Sequence, residues 1–100
     1  MKENVLQRLI ITTLEQAGYL VVRIHAGRLK FNGSWLRLAP EGFPDLLVVG
    51  HCLLEVKADG GELSDAQKRM HGSIRRVGGR VATVRSVAEA LAAVKGGTGG

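Results

Sequence analysis

A chain of 100 residues, 45% of them apolar, holds enough material for one small core and is too apolar to be disordered. Fourteen Lys and Arg against nine Asp and Glu give a net charge of +5, which favours polyanionic partners, nucleic acid foremost. No apolar run reaches the roughly 20 residues of a membrane span, and Met1-Lys2-Glu3-Asn4 lacks the apolar stretch of a signal peptide.

Residues 2–17 read as a helix, because Val5, Leu6, Leu9, Ile10, Thr13, Leu14 and Ala17 follow one buried stripe. Gly18 ends it, and Tyr19–Ile24 reads as a strand rich in β-formers. Residues 26–39 form an arm in which Asn32-Gly33 marks a type I′ hairpin. The segment Pro40-Glu41-Gly42-Phe43-Pro44 breaks regular structure. Two short strands follow, Asp45–Val49 and Cys52–Lys57, joined at Gly50-His51. Cys52 lies in an apolar run and reads as a small buried hydrophobe.

A Gly-rich loop, Ala58–Leu63, leads to Ser64, which begins a second helix to about Val77. Its expected core stripe is Ala66, Met70, Ile74 and Val77, with His71 on the surface. Arg80–Val84 reads as the last strand, and Ser86 with Glu89 as the capping box of a third helix. Gly96-Gly97-Thr98-Gly99-Gly100 is a flexible tail, leaving one domain over residues 1–95. A crossover from Cys52–Lys57 through a helix to Arg80–Val84 implies parallel pairing. The fold class is therefore α/β, a mixed sheet flanked by helices.

The chemistry concentrates between Gly42 and Lys57. Asp45 opens one strand, and Glu55 and Lys57 close the next, two residues apart and so on one face. Charges at the ends of apolar strands need a partner. One reading is an ion pair of Lys57 with Glu55 or Asp45. The other is a hard-cation site for Mg²⁺ or Mn²⁺, with Asp45, Glu55 and the Val56 carbonyl as ligands and Lys57 as the catalytic cation. One cysteine, and three histidines without paired spacing, argue against zinc; His25 and His51 receive no role.

Strand parity constrains this site. A strict two-residue turn at Gly50-His51 pairs Val49 with Cys52 and sends Asp45 and Glu55 to opposite faces. A shared metal requires an odd-length turn, a bulge, or Asp45 just outside the ladder.

Pro44-Asp45, nine residues, then Glu55-Val56-Lys57 resembles the proline–aspartate…glutamate–x–lysine signature of restriction-endonuclease-like nucleases. The stretches Gly42–Leu46, Leu54–Lys57, Leu63–Gln67 and Gly78–Val84, with Glu3, Arg23 and Gly27, resemble the virus-type replication–repair nuclease (VRR-NUC) domain from Lys2 to about Val94. The resemblance implies a restriction-endonuclease-like core and a Mg²⁺- or Mn²⁺-dependent endonuclease. For short stand-alone members it implies homodimers acting on branched DNA such as four-way junctions, in the cytoplasm of a bacterial or phage-infected cell. It also implies an acidic site residue in the first helix, Glu3, and a glutamine after the loop, Gln67. Glu3 alternatively favours the helix N-terminus by its charge, and Ser64-x-x-Gln67 is itself a capping box.

The basic residues divide by position. Arg28, Lys30 and Arg37 on the hairpin, interleaved with Phe31 and Trp35, suit contact with a phosphate backbone or a second subunit. Phe31, Trp35 and Leu36 are apolar enough to favour a dimer in which the arm of one subunit packs on the other. On the second helix Lys68 pairs with Arg75 and Arg69 with Arg76, each seven apart. Lys68 and Arg75 are candidate DNA contacts, with a solvated helix face as the alternative. A non-catalytic basic DNA-binding module, and a flap or nick nuclease partnered with a helicase, are the competing functions.

Overall fold

The computed structural model describes residues 1–24, 28–37 and 39–96; for 28–31 and 34–37 it describes the backbone course alone. Among the described residues nine elements follow in chain order: α1 (Glu3–Gln16), β1 (Val21–Arg23), β2 (Arg28–Phe31), β3 (Ser34–Arg37), β4 (Leu46–Val48), β5 (Cys52–Val56), α2 (Asp65–Arg76), β6 (Val81–Val84) and α3 (Val87–Lys95). The class is α/β, as expected, with a four-stranded mixed sheet and three helices. None of those helices is long and apolar enough to cross a membrane.

Strand order is β1-β4-β5-β6. The first two pairings are antiparallel, and β5 with β6 is parallel, as the α2 crossover requires. Among the described residues β2 and β3 pair only with each other, in the register Arg28↔Arg37 to Phe31↔Ser34. Asn32 at φ 51 and Gly33 at φ 77 both take left-handed backbone, the requirement of a type I′ turn.

One sheet face carries the core. Leu46, Val48, Cys52, Leu54 and Val56 pack there against Leu6, Ile10 and Leu14 of α1 and Ala90 and Val94 of α3. Each fully buried Leu, Ile or Val contributes roughly 1.5–3 kcal/mol relative to exposure. The α1 stripe is narrower than its sequence pattern, because Leu9 is 43% exposed and Ala17 lies outside the core. The helix closes with Gly18 N–H donating to the Glu15 carbonyl and Tyr19 N–H to Leu14, a Schellman ending.

The opposite face is covered by α2. There the expected stripe is corrected at two places. Val77 is 85% exposed, because it lies past the last helical turn, and His71 is buried at 2% exposure rather than at the surface. The inward line is Gln67, His71 and Ile74, spaced four and three apart. At the start of α3, Ser86 Oγ accepts from Glu89 N–H, but the Glu89 carboxylate returns to the backbone N–H of Arg85 rather than of Ser86.

Candidate functional site

The turn between β4 and β5 sets the site. Val48 pairs with Cys52, so Val49, Gly50 and His51 form a three-residue loop. The loop is odd in length, and its register (Leu46↔Leu54) carries on to place Asp45 opposite Glu55. Cross-strand partners share a face, so the parity requirement is met without a bulge. The backbone of Asp45 is itself tied to the sheet, its carbonyl accepting from Ile24 N–H at 2.7 Å. Asp45, Glu55 and Lys57 thus share the α2 side of the sheet, while Leu54 and Val56 face the core.

The segment before Asp45 is pressed against the start of α2. Gly42 has φ +82, and a Cβ there would overlap the Ala66 carbonyl and stand 2.8 Å from the Gln67 nitrogen. Glycine is therefore required twice over, by the backbone angle and by the close approach. Pro44, two residues on, is fully buried.

Glu55 is 1% exposed. Its Oε1 lies 3.1 Å from His71 Nε2, and its Oε2 accepts from Gln67 Nε2 at 3.4 Å. Gln67 is fixed in turn by a full capping box with Ser64: its Oε1 accepts from Ser64 N–H at 2.9 Å, and its N–H donates to Ser64 Oγ at 3.1 Å. The capping reading of Gln67 is met, and the same amide also reaches Glu55. Asp45 Oδ2 accepts from the Val56 N–H at 2.8 Å. In an extended strand the N–H and C=O of one residue point to the same side, so the Val56 carbonyl is directed to the Asp45 side as well.

Burial pushes the Glu55 carboxyl up to about 8 from an ordinary 4.5, and the adjoining Asp45 carboxylate adds to this through a hydrogen bond and its charge. The Lys57 charge opposes the shift, and Glu3 adds the last and smallest increment. Burial, and then the Arg75 charge, hold the His71 imidazole below its usual range. Two neighbouring carboxylates, one almost sealed from water, need a proton or a cation between them. That donor set suits a hard divalent ion. Asp45, Glu55 and the Val56 carbonyl would hold it, with water and substrate oxygens completing the shell.

Glu3 sits exposed in the first turn of α1, a helix that packs on the opposite sheet face, and its charge acts on Glu55. Among the described residues no three His, Cys, Asp or Glu side chains converge as a ligand cluster. Lys57 makes no ion pair within 4.0 Å among those residues; the one salt-bridge contact there joins His71 and Glu55. Its stem is bounded by Gly61, where a Cβ would stand 3.5 Å from Lys57 Cδ.

Sequence reasoning missed two residues. His71 was hidden because apolar periodicity ignores a histidine; its spacing from Gln67 and Ile74 was the available signal. Arg85 donates through Nη1 to the carbonyls of Ala58 and Gly61, at 3.3 and 2.5 Å, and so ties down the loop that follows Lys57. No local pattern announces that bond, which spans more than 20 residues.

Of the expected DNA contacts, Lys68 is exposed on α2. Arg75 is exposed too, but its Nη2 donates to the Val81 carbonyl at 3.0 Å, so it also anchors α2 to β6. Arg28, Lys30 and Arg37 lie on β2 and β3, and their side chains, like those of Phe31, Trp35 and Leu36, fall outside the described residues, as do His25, Gly27 and the tail beyond Gly96. Comparison with family models, curated proteins and solved structures gives no match for this chain.

Proposed function

We propose that this chain is a metal-dependent endonuclease with a restriction-endonuclease-like core, hydrolysing phosphodiester bonds in DNA, branched DNA such as four-way junctions foremost. One observation carries the reading: the three-residue loop brings Asp45 opposite Glu55, with Lys57 on the same face. Resemblance of the Pro44-Asp45…Glu55-Val56-Lys57 signature to the VRR-NUC domain supports it, as does the charge of +5. Bound at Asp45 and Glu55, Mg²⁺ or Mn²⁺ supplies Lewis acidity toward the phosphate and a more acidic water. The Lys57 ammonium offsets negative charge growing on the phosphoryl oxygens. Gln67 holds one Glu55 oxygen from the side of α2. Exposed Lys68, with the basic hairpin, attracts the phosphate backbone.

The test is incubation of purified protein with a labelled four-way junction and a matching linear duplex, in Mg²⁺, Mn²⁺ or EDTA. The junction is cut in either metal and not in EDTA. Asp45→Asn abolishes cutting and leaves junction binding nearly intact, because Asp45 supplies charge to the metal and not contact to DNA. Full cleavage by that variant ends the assignment. A second reading, a DNA-binding module without catalysis, has its own support: His71 and Gln67 already satisfy both Glu55 oxygens from within the chain. In that case binding persists and neither metal produces a cut.

A further inference from the structure

Resting on the metal-site reading above, we infer that His71 is a positioning residue for Glu55, donating its Nε2–H to Oε1 so that the carboxylate is presented toward Asp45 and the Val56 carbonyl. The motivation is geometric. His71 Nε2 is 3.1 Å from Glu55 Oε1, and the two side chains are 2% and 1% exposed. Neither oxygen of Glu55 can therefore be oriented by bulk water. The opposite ring nitrogen, Nδ1, is buried and has no hydrogen-bond partner among the described residues.

A buried polar atom without a partner carries a cost, and an apolar residue at position 71 would remove it. The arrangement is explained when the ring is retained for the atom that does have a partner. With a cation bound, Glu55 is ionised and can only accept hydrogen bonds, which puts the proton on Nε2 and leaves Nδ1 as the bare lone pair. His71 and Gln67 then hold the two carboxylate oxygens from one helix, one turn apart. Two donors on one carboxylate restrict rotation about its last bond, which a single donor does not. A loosely held carboxylate must be ordered when the ion arrives; a prepositioned one need not be. Outer-shell partners of this kind typically alter metal affinity about 10- to 100-fold.

The experiment measures Mn²⁺ affinity without DNA, by isothermal titration calorimetry on the full chain, together with melting in EDTA by circular dichroism. His71→Leu removes the donor and keeps an apolar filling. His71→Asn, whose amide reaches only the place of Nδ1, removes the donor and keeps polarity, and replaces the Leu variant if that one does not fold. His71→Gln places an amide donor near the original Nε2. The expected result is a roughly 10- to 100-fold weaker Mn²⁺ dissociation constant for His71→Leu or His71→Asn, with recovery to within about threefold in His71→Gln. Wild-type affinity in a folded Leu or Asn variant overturns the positioning role, as does a Gln variant as weak as they are. Glu55→Gln is the control that separates the two ideas. If the wild-type chain itself binds Mn²⁺ no better than Glu55→Gln, the metal-site reading fails, independently of His71.

Discussion

Replacing Glu55 by Gln should stabilise the metal-free protein, increasingly so as pH rises. The carboxyl is held at about 8 against an ordinary 4.5, a displacement of about 3.5 on the pH scale, or about 5 kcal/mol in full. Below pH 4.5 the group is protonated whether folded or unfolded, and nothing is lost. As pH rises from 4.5, the unfolded chain releases a proton that the folded chain still binds, so stability falls. The loss is complete above about 8. It amounts to about 1 kcal/mol at pH 5, about 3 at pH 7 and about 4 at pH 8. The amide of Gln is neutral throughout and fills the same space. For a domain of this size 1 kcal/mol moves the melting temperature by about 4–8 °C. Glu55→Gln should therefore melt about 5 °C above wild type at pH 5 and about 15 °C or more above it at pH 8, in EDTA. His71 slopes the other way: its lowered value disfavours the charged ring in the folded chain, so stability falls as pH drops below 6.5. That contribution is present in both proteins and cancels to first order in their difference. Thermal melts across pH 5–8 give the difference curve directly. A curve that stays flat would show that Glu55 does not carry the burial cost argued for it. Mn²⁺ at pH 8 should raise the wild-type melting temperature and leave Glu55→Gln unmoved, because only the ionised site gains from the cation.

Gly42→Ala places a methyl group against the Ala66 carbonyl on a backbone at φ +82; a loss of about 2 kcal/mol or more follows, read as a lower urea midpoint, and an unchanged midpoint would mean that the segment retreats from α2 freely. Replacing Arg28 and Lys30 by Ala should flatten the dependence of log affinity on log salt for junction DNA by about one to two counterions, and an unchanged slope removes the hairpin from the DNA-binding surface.

Local chemistry made much of the fold legible. Gly18 ends α1, Asn32-Gly33 turns the hairpin, and Ser64 with Gln67 caps α2, because each acts on its immediate neighbours. The parallel pairing of β5 with β6 followed from the helical crossover that joins them. Asp45, Glu55 and Lys57 were legible as charges on short apolar strands, whereas their common face was not. It depends on whether Val49 joins the ladder or the loop, a difference of one residue that composition does not decide. His71 escaped because its partner is 16 residues away, and a helix pattern scores only its own apolar residues. Val77 failed in the other direction: it continues the stripe beyond the point where the helix has protein beneath it.

The loop Val49-Gly50-His51 also sets a rule for insertion and deletion. An added residue that stays within the loop lengthens it and leaves Val48 opposite Cys52. A change that is passed into the ladder slips β4 by one step against β5, and every side chain on β4 changes face. Leu46 and Val48 then leave the core and Asp45 parts from Glu55, so folding and the site fail together. A library of loop variants scored for folding and for Mn²⁺ binding should therefore lose both properties at once wherever it loses either.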